Sequence, residues 1–118
     1  MRILEIADLS TPRVKRYSTL VITGTDDKEA IRQMVLAATE SVKGAEEYRN
    51  EAMKERWTGE TAQVVWLYVA KSEEDAGNAR WVCRTQWIDP DLKEYRPIEM
   101  EGHERHGDLI IRWIGVQP

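Results

Sequence analysis

The chain has 118 residues, 42% of them hydrophobic and 32% charged, which is too apolar for a disordered chain and too charged for a membrane-spanning one. That length holds one hydrophobic core and not two, so a single α+β domain over residues 1–118 is expected. Seventeen basic against twenty-one acidic residues leave a net charge of −4, which works against sequence-independent nucleic-acid binding through a broad basic face.

In chain order, Ile3, Leu4, Ile6 and Leu9 predict a short strand that Ser10-Thr11-Pro12 ends, because proline lacks a donor and restricts the residue before it. Residues 14–23, rich in β-branched and aromatic side chains, predict a second strand closed by Gly24. Thr25-Asp26-Asp27-Lys28-Glu29 then reads as a helix start, with Asp26 as cap and Glu29 reaching back three residues later. Ile31, Met34, Val35, Ala38 and Val42 follow at spacings of three and four, giving one apolar face that must cover a sheet. The pattern resumes after Gly44 through Ala45, Tyr48, Ala52, Met53 and Trp57 and stops at Gly59. One unbroken helix over 28–57 would measure about 45 Å, too long for a domain with a radius of gyration of about 13 Å. A kink or break at Gly44 is therefore predicted.

Residues 62–70 (AQVVWLYVA) are apolar on both alternating faces and predict the most buried strand. Residues 72–78 read as a polar hairpin loop. Residues 80–88 alternate, with Trp81, Cys83, Thr85 and Trp87 on one face and Arg80, Val82, Arg84 and Gln86 on the other. Asp89-Pro90-Asp91 turns the chain, 92–107 form a polar connection, and 109–116 make the last strand. The expected fold is a long, kinked or broken helix packed on a mainly antiparallel sheet of four to five strands. Its order is β-β-α(-α)-β-β-β, a two-layer topology of the cystatin-like kind.

No residue cluster matches a catalytic or cofactor signature at the required spacing, so the chain reads as non-enzymatic and cofactor-free. The longest apolar run, residues 64–70, falls far short of the ~20 residues of a membrane span. The N-terminal stretch Met1-Arg2-Ile3-Leu4-Glu5 carries acid where an export signal needs an apolar stretch. The lone Cys83 excludes an internal disulfide or a cysteine-built zinc site and fits a reducing compartment; a cytoplasmic setting without membrane contact is expected. Cys83 shares its strand face with Trp81 and Trp87, which predicts burial and an inert thiol.

Three surfaces merit attention. The five Trp and four Tyr, with no Phe, exceed what a helix of modest width covers, and the second apolar face of the 62–70 strand needs a cover. Either the 89–107 connection folds back over it or a partner does; Trp66, Tyr68 and Trp113 are the interface candidates. Arg80, Arg84 and Arg112, with Arg16 or Lys15 if strands align, form a candidate strip for a phosphate, a carboxylate or single-stranded nucleic acid; the alternative is cross-strand pairing with acids. His103, Glu104, His106 and Asp108 offer metal-ligand chemistry. The two histidines, however, are three apart and flanked by glycines, unlike the helical HExxH arrangement. The leading expectation is a binding or interaction module acting through a sheet face, as a homodimer or accessory subunit. An anion-binding domain is second and a metal-dependent enzyme last.

Overall fold

The structure is a computed structural model that describes residues 1–115. Its elements run β1 (Arg2–Asp8), β2 (Arg16–Ile22), α1 (Lys28–Lys43), α2 (Glu51–Trp57), β3 (Val64–Ala70), α3 (Glu73–Gly77), β4 (Cys83–Ile88), β5 (Glu104–His106) and β6 (Leu109–Trp113). Val116, expected in the last strand, lies outside the described residues.

The helical segment breaks at Gly44, as its length demanded. Gly44 caps α1: its N–H donates to the Ser41 carbonyl at 3.3 Å and the next N–H, of Ala45, to the Val42 carbonyl at 3.1 Å. Residues 45–50 are non-helical, and Asn50 caps α2 by accepting from the Met53 N–H. At the start of α1 the cap is Asp27, not Asp26: the Asp27 carboxylate accepts from the Ala30 N–H at 2.9 Å. Glu29 does not reach back but binds Arg32 and Gln33, each at 3.2 Å. Ile31, Val35, Ala38 and Val42 form the buried face of α1 as the spacing predicts.

Among the described residues the sheet has six strands, in the order β1-β2-β3-β4-β6-β5. Every neighbouring pair is antiparallel except β2 and β3. These run parallel because the helices between them carry the chain back to the end where β2 began. The sheet is therefore mixed, and the expected four to five antiparallel strands and cystatin-like order are not confirmed. Two elements lie where loops were expected. Ser72 caps the short α3 by accepting from the Asp75 N–H, and the Glu104-Arg105-His106 part of the polar connection pairs with β6 as β5.

The two sheet faces differ. Under α1 lie Tyr17, Val21, Val65, Leu67, Val69, Cys83, Leu109, Ile111 and Trp113 in one continuous core. On the other face, Leu4, Leu20, Tyr68, Arg84 and Arg112 form a row across five strands. A second row holds Ser18, Trp66, Gln86 and Ile110. Residues 89–103 fold back over one end of this face. There Leu92 packs with Val14, Val64 and Ile88, and Gln86 clasps the strap by donating to the Ile98 carbonyl at 3.2 Å and accepting from the Met100 N–H at 2.7 Å. The strap lies so close that a Cβ on Gly102 would collide with Ile110 Cγ2 and stand 2.9 Å from the Ile111 carbonyl oxygen.

Lys15, weighed from sequence as a surface cation, is fully buried. Its ammonium donates to the Tyr48 hydroxyl at 3.2 Å and to the carbonyls of Trp57 (3.4 Å) and Glu60. It also lies 5.6 and 5.3 Å from the ring centres of Tyr17 and Tyr48. Burial pushes its pKa down, while Glu46, Glu60 and Asp8 pull it back up.

Two substitutions test this packing by denaturant unfolding. Gly102→Ala is expected to destabilise by about 1–3 kcal/mol through overpacking against β6, and an unchanged midpoint would contradict the tight strap. Thr85 is buried in the α1-side core, and its hydroxyl has no hydrogen-bond partner among the described residues. Thr85→Val, similar in volume, is expected to stabilise by about 1 kcal/mol by removing that unpaired group; destabilisation would mean that the hydroxyl has a partner.

Candidate functional site: the open face of the sheet

The part of the open face that the strap leaves uncovered carries Leu4, Leu20, Tyr68 and Trp81, all only partly buried, and Trp66, also partly buried, stands at its border, packed against the Val14, Val64, Ile88 and Leu92 cluster. Trp66 and Tyr68 are there because β3 is apolar on both faces and α1 covers only one. The alternation expected along 80–88 breaks at its start: Val82 and Cys83 both enter the α1-side core. That leaves Trp81 against Tyr68, ring centres 5.4 Å apart and planes at 59°. Trp81 thus lies away from Cys83 and not beside it. Trp113, the third interface candidate, also lies elsewhere: it is 7% exposed in the α1-side core, under Lys28 and Arg32.

The anion candidates divide as well. Arg84 and Arg112 are register partners on β4 and β6. Arg84 donates to the Tyr68 hydroxyl at 3.0 Å, and its guanidinium stacks 4.6 Å from the centre of that ring. Neither arginine has a carboxylate within ion-pair distance among the described residues. Arg80 precedes β4 in a loop and faces Asp75 at 4.0 Å, so it takes no place in the row. Arg16 is tied to the Leu9 carbonyl at 2.6 Å.

The His103–Asp108 segment is organised around one carboxylate. Glu104 accepts from Arg32 Nε and Nη2 at 2.8 and 2.7 Å and from Trp113 Nε1 at 2.8 Å. His106 Nε2 stands 3.0 Å away. The Arg32 bond holds the Glu104 carboxyl far below the usual carboxylate range, and the same bond raises Arg32. His103 Nδ1 accepts the Trp113 backbone N–H at 2.9 Å, and Asp108 is exposed beside Gly107, whose φ of 61° admits the β5–β6 turn. Among the described residues no group of three or more His, Cys, Asp or Glu is arranged to hold a metal ion. The segment's geometry is that of a tie between α1 and the β5–β6 hairpin. Cys83 is buried, and burial, with the Glu104 charge adding, pushes its thiol up to about 12. It therefore stays protonated and unreactive at neutral pH.

Leu4, Glu5 and Leu20 of the open face gave no sequence signal as site residues, and Trp81 entered only as one of the five Trp in excess of what the helix covers. Glu5 interrupts β1 at a register shift between Leu4 and Ala7, with a left-handed φ of 48°. No helix of the described residues is long and apolar enough to cross a membrane. Comparison of the chain with family models, curated proteins and solved structures finds no match in any of the three.

The Glu104 tie has a pH signature. Its carboxyl is depressed in the folded state, so the stability it contributes is present above the ordinary value of about 4.5 and is lost as pH falls from there towards the folded value. Unfolding midpoints at pH 7 and pH 3 are expected to converge in Glu104→Gln relative to the parent chain. An equally steep acid loss in the variant would place the acid sensitivity on other carboxylates.

Proposed function

We propose that this chain is a non-enzymatic binding module that docks a protein partner, in the simplest case a second copy of itself, on the open face of its sheet. The observation that carries this reading is the convergence of Leu4, Leu20, Trp66, Tyr68 and Trp81 on the one face that the chain's own helices leave uncovered. Aromatic residues and arginine are enriched where protein surfaces bury one another. Arg84, held by the Tyr68 hydroxyl and ring, has little side-chain freedom left to lose on docking. Ile98, 93% exposed on the strap, adds an apolar side chain on the segment that borders this face.

A second reading is favoured by one specific observation. Like charges directly opposite each other across strands are destabilising, and Arg84 and Arg112 stand so without a carboxylate of the described chain between them. An anion bridging the two guanidiniums removes that cost, whether it is the carboxylate or phosphate of a small molecule or the backbone of single-stranded nucleic acid.

Light scattering over a range of protein and salt concentrations separates the readings. Self-docking predicts a mass that rises with concentration, persists in high salt and falls to that of a monomer in Leu20→Arg. A monomer under every condition removes self-docking. In that case inorganic phosphate or an oligothymidylate is expected to bind with strong salt dependence, and Arg84→Ala or Arg112→Ala to weaken it by about tenfold.

A further inference from the structure

Glu5, Ala7, Ser18, Thr19, Leu20, Tyr68 and Trp81 enclose a shallow, mainly apolar groove at the β1–β2 end of the open face. Its polar character is anionic. The Glu5 carboxylate is exposed and has no cationic partner among the described residues. Its aromatic side is a corner: the Tyr68 and Trp81 rings meet at 59° with centres 5.4 Å apart, and both residues line the recess. A carboxylate beside two angled aromatic rings in an apolar recess suits a bulky, weakly hydrated cation, because the rings attract positive charge through their quadrupoles and the carboxylate through Coulomb's law. Tyr68 already holds one cation in this way, the Arg84 guanidinium 4.6 Å from its ring centre, and Arg84 does not line the groove. The chain places glutamate in a left-handed conformation that favours glycine. This local cost falls at the residue that supplies the one carboxylate among the described residues lining the groove.

We propose that this groove binds an organic ammonium group, the quaternary or methylated amine of a small molecule or of a lysine side chain, through Glu5, Tyr68 and Trp81. The proposal rests on the reading of the open face as a binding face and names the chemistry that its β1–β2 end recognises. It is separate from the anion chemistry of Arg84 and Arg112 at the other end.

The test is a titration of the full chain with choline and with its neutral isostere 3,3-dimethylbutan-1-ol, followed by the indole N–H resonance of Trp81. Choline is expected to shift that resonance and to bind at least about fivefold more tightly than the alcohol. Glu5→Gln is expected to remove most of this preference and Trp81→Ala to abolish binding, while Glu55→Gln, at an exposed carboxylate of α2, leaves both unchanged. Glu5 is exposed, so its variant remains informative if Trp81→Ala fails to fold. Equal binding of choline and the alcohol, an undiminished preference in Glu5→Gln, or no shift at Trp81 overturns the proposal. Free trimethyllysine and a peptide containing it then distinguish the two sources: tighter binding of the peptide points to a protein ligand, equal binding to a small molecule. A chain that stays monomeric yet prefers choline separates this site from self-docking. A chain that self-associates with no such preference retains the docking reading alone.

Discussion

The parallel alignment of β2 and β3 is the constraint on which the rest of the structure depends. Two adjacent parallel strands need a crossover of a dozen or more residues, and here that crossover is the whole helical segment with its connecting loops. Because α1 packs its apolar face on β2 and β3, one side of the sheet receives a full cover and the other receives none from this segment. Yet β3, in the sheet interior, is apolar on both sides. The remaining cover must come from the connection after β4, and residues 89–103 supply it only over Val64, Ile88, Gln86 and Ile110. What is left open is a direct consequence of where the crossover runs.

Two charged side chains hold the crossover to the sheet. Lys15 immediately precedes β2, and its ammonium donates to the carbonyls of Trp57, the last residue of α2, and of Glu60 just beyond it. Burying an ammonium is costly unless its donors are matched; two carbonyls, a tyrosine hydroxyl and two ring faces supply that match. At the opposite edge of the sheet, Arg32 of α1 forks onto Glu104 of β5, which also accepts from the Trp113 indole of β6. One tie therefore fixes the end of the crossover to β2 and the other fixes α1 to the last hairpin. This explains why Trp113 and the His103–Asp108 segment serve cohesion and not the open face.

The sequence made the strongly periodic elements legible: the buried face of α1, the break that Gly44 had to introduce, and the doubly apolar β3. The errors have physical causes. Both Asp26 and Asp27 are competent caps, and the choice depends on which backbone N–H the chain presents. β5 has three polar residues, and only pairing with β6 makes them a strand, so no period-two apolar signal exists to find. Residues 81–83 alternate on paper, but Trp81 is large enough to be satisfied on either face, and Val82 takes the core position beside Cys83. Lys15 reads in the sequence as a surface cation because lysine is almost never fully buried unless paired, and its partners lie more than thirty residues away. Of the candidate site, Trp66, Tyr68, Arg84 and Arg112 were visible as alternating positions. Sequence alone could not show that β3, β4 and β6 align them in adjoining rows of one surface.

That alignment gives the open face a direction. Three strands separate β1 from β6 in the sheet order, and the four spacings of about 4.8 Å set the two ends of the row about 19 Å apart. Glu5 stands at one end, Arg112 at the other with Arg84 next to it, and the row between them is apolar and aromatic. A surface with a single sign of charge attracts an oppositely charged partner in any orientation. One with opposite charges at its ends penalises every orientation that brings like charges together, which is how electrostatics contributes specificity beyond affinity. Tyr68 sits at the centre of this row and borders both ends at once, carrying Arg84 on its ring and hydroxyl while closing the groove beside Glu5 with Trp81.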